Sequence, residues 1–209
     1  MGLKKATATP SGGHPVERRA TGRDVDGLLA QLRSADAEDR RLAALDLAGL
    51  AEVVPHLLAA VDAEAQATVR DALLTTLAGH DEHDGPAVAA HLAGWLSTDD
   101  AARRNAAVAT LQTMPNGAAA VVGDLLVTGD VRVRTLAVMV LSALAHPGVP
   151  DWLEVVVDAD ADENVVAAAV DAAQLLEDEV AHRLADAAAA RFPDNPYLQF
   201  LATLAAGAR

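Results

Sequence analysis

From Asp24 onward, apolar residues recur at three- and four-residue spacings in short runs, and acidic, glycine- or proline-bearing turns interrupt them. That spacing puts one apolar stripe on a helix and predicts a succession of short amphipathic helices rather than strands. Five runs align: RRLAALDLAGL from Arg40, VRDALLTTLAG from Val69, RRNAAVATLQT from Arg103, VRVRTLAVMVLSAL around Val133 and VVAAAVDAAQLL from Val165. The second residue of the shared frame is Arg41, Arg70, Arg104, Arg134 and Val166, at intervals of 29, 34, 30 and 32 residues. Offsets −1, 3, 7 and 10 from it share one helix face and form the expected buried stripe. Offset 3 carries Ala44, Leu73, Ala107, Ala137 and Ala169, and offset 7 carries Ala48, Leu77, Leu111, Leu141 and Ala173.

An acidic turn precedes each run: Asp36, Asp62 with Glu64, Asp99 with Asp100, Asp130, and Asp160 with Asp162. Aspartate suits a helix N-cap because its carboxylate accepts backbone N–H groups that have no partner inside the helix. Ahead of each turn lies a further apolar run: VDGLLAQL, VVPHLLAAV, VAAHLAGWL, AAVVGDLLV and WLEVVV. The repeating unit is therefore helix, acidic turn, helix. A divergent sixth unit, VAHRLADAAAARF followed by YLQFLATLAAG, turns at Phe192-Pro193-Asp194-Asn195-Pro196, with Pro196 suited to the first helical position. Tyr197 and Phe200 are expected to close that end. The approximate units are 25–50, 51–80, 84–116, 117–148, 150–178 and 180–207. A single hairpin cannot bury its stripe, whereas a stack can. The expected fold is an all-α solenoid of about six helical hairpins over residues 24–209. Residues 1–23 are rich in Pro, Gly, Thr and charge without apolar periodicity, and are expected to form a flexible basic tail.

Composition sharpens this picture. The chain holds 49 Ala, no Ile and 2% aromatics, which leaves an all-β core without its usual residues and favours closely packed helices. Of the formal charge of −14, residues 1–23 carry +4 (Lys4, Lys5, Arg18, Arg19 and Arg23 against Glu17) and residues 24–209 carry −18 without a single lysine. Such a body repels phosphate backbones and anionic membranes, so neither nucleic acid nor membrane is an expected partner. The absence of Cys excludes disulfides and thiolate chemistry. With no signal-like apolar run behind the first lysines and no stretch long enough to span a bilayer, a cytoplasmic protein is expected.

A Val-Arg-x-x-Ala-x-x-x-Leu second helix behind an acidic turn resembles the HEAT repeat, in particular the short phycobilisome-lyase-type HEAT-like class, over about residues 25–180. The resemblance implies a hydrogen-bonded ladder along the stack, in which Arg41, Arg70, Arg104 and Arg134 pair with Asp36, Asp62 or Glu64, Asp99 and Asp130. Val166 departs from that pattern and leaves Asp160 and Asp162 without the partner. The resemblance also implies that second helices line a concave groove. The outward offsets 1, 5 and 8 there include Asp46, Asp71, Thr75, Asn105, Gln112, Thr135, Met139, Asp171 and Gln174. Most proteins of this kind are interaction scaffolds; a minority are bilin lyases, metal-dependent hydroxylases or DNA glycosylases, and fold alone does not choose among them.

Candidate chemistry is sparse. His80-Asp81-Glu82-His83-Asp84 gathers imidazoles and carboxylates that suit zinc, iron or manganese, but no fourth ligand stands out beyond His91, and a solvated loop without metal is the expected reading. Asp158-Ala-Asp160-Ala-Asp162-Glu163-Asn164 is similar to the start of a calcium loop but lacks its glycine, and Ala169 stands where the closing Glu belongs. No phosphate-cradling glycine loop or nucleophile elbow occurs. Trp95 and Trp152 are read as packing residues, with partner contact as the alternative. The expected function is a non-catalytic scaffold whose acidic groove docks another protein through a basic segment, without a cofactor. The alternative is a lyase-type or metal-dependent enzyme centred on the groove or on His80, His83 and Asp84. A weaker reading makes the basic tail a tether.

Overall fold

The computed structural model describes residues 24–50 and 52–207, with side chains through 204; the expected tail at 1–23 lies outside them. Among the described residues there are twelve helices and no strand, so the protein is all-α. The helices come in pairs: α1 (Val25–Gln31) with α2 (Ala37–Asp46), α3 (Val54–Ala63) with α4 (Ala67–Ala78), and α5 (Asp81–Leu96) with α6 (Ala101–Leu111). There follow α7 (Pro115–Leu126) with α8 (Val131–Leu141), α9 (Val149–Ala159) with α10 (Glu163–Ala173), and α11 (Asp178–Arg191) with α12 (Pro196–Gly207). None of the described helices is long and apolar enough to cross a membrane.

Local chemistry starts the helices where the acidic turns lie. The carboxylates of Asp36, Asp100, Asp130 and Asp162 cap α2, α6, α8 and α10, each accepting a backbone N–H two residues on at 2.8–2.9 Å. The residue two before the cap adds a second bond: Ser34, Glu64 and Asp160 accept the N–H of Asp36, Gln66 and Asp162 at 3.1, 2.8 and 2.9 Å. Proline opens α3, α7 and α9 within the first two positions. Pro196 opens α12, where the Asn195 side chain accepts the Tyr197 and Leu198 N–H groups.

Burial follows the expected stripe in the later units. Val69, Leu73, Leu77 and His80 are buried, as are Val133, Ala137, Leu141 and Leu144. The first unit is shifted by one residue. Arg40, not Arg41, stands four residues after its cap, as Arg70, Arg104 and Arg134 do after theirs. Leu47 is accordingly the buried residue, and Ala48, expected inside, is exposed. The tandem Arg40-Arg41 concealed the true frame, which the cap at Asp36 sets.

One apolar core runs from Leu28 to Leu201. The even-numbered helices touch in succession from α2 to α12. In the odd-numbered set, α3 packs on α5, α5 on α7 and α9 on α11. Between α1 and α3, and again between α7 and α9, an open cleft replaces that packing. The tightest approach is α5 against α7, where glycines meet. A Cβ on Gly117 would stand 2.6 Å from the Gly85 carbonyl oxygen, whereas a Cβ on Gly123 of the same helix would meet nothing within 4 Å.

Opposite outcomes are expected at these two positions. Gly117→Ala forces the helices apart and should destabilise the fold by about 1–3 kcal/mol. Gly123→Ala should stabilise it by about 0.5–1 kcal/mol through helix propensity. Urea denaturation of both variants checks this; equal shifts would refute the close-packed α5–α7 contact.

Candidate functional site

The exposed surface of the even-numbered helices carries most of the residues expected to meet a partner. Asp71, Thr75, Asn105, Met139, Asp171 and Gln174 are exposed, and Gln112 and Thr135 are half-buried. Asp46 is exposed too, but the one-residue frame shift turns it about 100° around α2 and puts Leu45 in the matching row. Between α4 and α6 this surface sinks into a groove of about 420 Å³, lined by Asp71, Leu74, Thr75, Ala78, Ala106, Ala109, Thr110 and Thr113. Small residues make room for the groove.

Many of its polar groups are already engaged. Thr75, Thr110 and Thr135 donate to the carbonyls of Asp71, Ala106 and Val131 four residues back on their own helices. Gln112 Nε2 donates to the Met139 carbonyl at 2.7 Å and ties α6 to α8. The Tyr197 hydroxyl donates to Asp171 at 2.7 Å, and that hydrogen bond raises the phenol's pKa above its ordinary value. Asp71 and Asn105 keep side chains with no hydrogen-bond partner among the described residues.

The arginine ladder is real in part, and its partners differ from those expected. Arg40 Nε and Nη2 donate to the two carboxylate oxygens of Glu64 at 2.8 and 3.0 Å. Arg134 does the same to Asp160 at 2.7 and 3.0 Å. Each acid belongs to the next helix pair and lies two residues before that pair's cap. Arg134 therefore does not take Asp130, whose carboxylate is spent on its own helix, and Asp160, expected to lack a partner, has one. Arg41 bonds Glu38 within α2 rather than Asp36. Arg104 donates to the Thr98 carbonyl rather than to Asp99.

Among the described residues Arg70 has no ion pair: Glu64 is taken by Arg40, and the Arg70 Nε is buried without an acceptor there. The physical reason is common to all four. At the fourth position after the cap, Arg40 and Arg134 reach across to the next pair's turn, where Glu64 and Asp160 offer a carboxylate. Ser34, Thr98 and Thr128 fill the equivalent site elsewhere, and their carbonyls accept from the Nη1 atoms of Arg40, Arg104 and Arg134.

The His80–Asp84 segment is not a loop. His80 precedes α5 and the four acidic and imidazole residues after it form its first turn. Asp81 spends both oxygens on the Asn116 and Gly117 N–H groups at the start of α7, at 3.0 and 2.7 Å. His80 is buried, its Nδ1 3.8 Å from Asp84, and His83 is exposed. Successive helical residues radiate about 100° apart and cannot converge on one ion. Among the described residues, no group of three His, Asp or Glu side chains could hold a metal. His91 Nε2 donates instead to Asp62, which also accepts from Trp95 Nε1, each at 3.1 Å. Trp95 is buried beneath the Arg103 guanidinium, and Trp152 stacks on His146 at 4.9 Å. Both indoles pack within the protein.

The two bridging carboxylates are held below their ordinary pKa values. At Glu64 the Arg40 hydrogen bond dominates. At Asp160 burial pushes upward, and the Arg134 hydrogen bond, the Asp162 N–H and the two arginine charges together outweigh it. Depressed folded values mean stability that is complete above the unfolded carboxylate pKa of about 4 and lost as pH falls through the folded values. The double variant Glu64→Gln, Asp160→Asn should be less stable than the parent at about pH 6 and lose less on acidification to about pH 2.5. Urea midpoints across that range check it; parallel curves would refute the two bridges.

Comparison of the chain with protein-family models and with curated proteins finds no match.

Proposed function

We propose that the chain is a HEAT-like α-solenoid and acts as a non-catalytic interaction scaffold, docking a polypeptide segment on the surface of its even-numbered helices. The observation that carries this reading is the groove between α4 and α6, the second and third helices in the unbroken succession of even helices. Alanine and threonine walls admit a main chain closely. Asp71 at its edge, with Asp171 further along, favours a segment bearing Lys or Arg over an acidic one. The rest of the −18 charge supports the same preference at longer range by steering.

Selection of a displayed random-peptide library on the full chain tests this. Enriched peptides should be basic, and Ala109→Trp, which fills the groove, should weaken their binding by about tenfold or more, the loss of about 1.4 kcal/mol. Asp71→Lys should weaken it comparably and reduce its salt dependence. Peptides that bind both variants as well as the parent would refute the groove as the docking surface.

A further inference from the structure

The two bridges and the two clefts coincide. Where an arginine meets a carboxylate of the next pair, at Arg40–Glu64 and Arg134–Asp160, the odd helices α1 and α3, and α7 and α9, stand apart over the pair. Where threonine or valine replaces one member, at Thr98, Thr128 and Val166, the odd helices pack directly. Each bridge lines the floor of its cleft.

The two clefts differ in size and charge. The one between α7 and α9 holds about 270 Å³, and among the described residues its charged lining is Arg134 and Asp160, which satisfy each other. The one between α1 and α3 holds about 440 Å³, within the range of small-ligand sites. Leu29 and Leu32 wall it on one side, with Ala59, Ala60 and Ala63 on the other. Arg40 in its floor is saturated by Glu64 and by the Ser34 and Ala35 carbonyls. That leaves Arg33 at the mouth, exposed and without an acceptor among the described residues, and His56 along the α3 wall, also without a side-chain partner among them. The cleft therefore carries a surplus positive charge on a body of −18. From His56 to Ala63 the α3 wall runs about 10 Å, at a rise of about 1.5 Å per residue.

We infer that the α1–α3 cleft binds a small amphipathic carboxylate, its short apolar chain lying between the leucines and alanines and its carboxylate on the Arg33 guanidinium. A charge-assisted bond to Arg33 supplies the orientation, and burial of the chain supplies the driving force. The neutralised floor neither attracts nor repels the ligand. This site is distinct from the even-helix groove and stands or falls separately from it.

The test is titration of the isotopically labelled full chain with octanoate, read by amide chemical shifts, with octanamide as the uncharged counterpart. Octanoate should move resonances of α1 and α3 and leave those of α7, α9 and the α4–α6 groove in place. Arg33→Gln, at an exposed position, should weaken binding by about tenfold, within the range for a hydrogen bond to a charged group. Ala60→Phe should abolish it while the remaining spectrum keeps the parent dispersion. No shifts at millimolar octanoate, equal affinity for octanamide, or unchanged binding by Arg33→Gln would each overturn the site. Tighter binding of a peptide with a free C-terminal leucine than of octanoate would overturn its assignment to a small molecule.

Discussion

Most helices of this chain run ten to twelve residues, a length that is marginal for an isolated helix in water. Their persistence depends on a shared apolar seam: each pair buries its stripe against the pairs before and after it, and the core is one body from Leu28 to Leu201. The abundance of alanine is what makes such a seam possible with few aromatics, because small side chains let helix axes approach. At Gly85 and Gly117 the approach is closer than even alanine permits. The two tryptophans pack into or against this core, Trp95 under Arg103 and Trp152 on His146.

Polar interactions on top of this seam determine how neighbouring pairs meet. A buried ion pair is a weak source of net stability, since desolvation offsets most of its Coulomb attraction, but it is costly to mispair. Here two such pairs line the clefts between α1 and α3 and between α7 and α9, while the even helices remain in unbroken succession. The result is a division of surfaces. The even helices meet in unbroken succession, whereas the odd helices are interrupted by two clefts of unequal size and charge.

Much of the helical organisation was legible because period and capping chemistry are local. Acidic turns, prolines and the 3.6-residue stripe each report on a few neighbouring residues, and together they placed the helix pairs from Asp24 onward. What failed was whatever depended on the next pair. The tandem Arg40-Arg41 offered two frames, and the cap at Asp36, with the burial of Leu47, selects between them. Glu64 and Asp160 read as parts of acidic turns, yet their partners lie 24 and 26 residues earlier, on Arg40, which the expected ladder left out, and on Arg134, which the resemblance gave to Asp130. The acid-rich stretch after His80 read as a solvated turn. Acids in a first turn complement the helix dipole, and Asp81 also caps a neighbouring helix, which no local rule reveals. The groove residues on α4 and α6 were half legible: Asp71 and Thr75 follow from the outward row, whereas Ala106, Ala109 and Thr113 join them only because α4 meets α6.

Hydrogen exchange of Leu111→Ala addresses the shared seam most directly. Leu111 is fully buried on α6, which touches α4, α5, α7 and α8, and its truncation leaves a cavity at the centre of the core. If the pairs hold one another up, amide protection is expected to fall in α4 and α8 along with α6. Loss confined to α5 and α6, with α4 and α8 as protected as in the parent, would contradict the account.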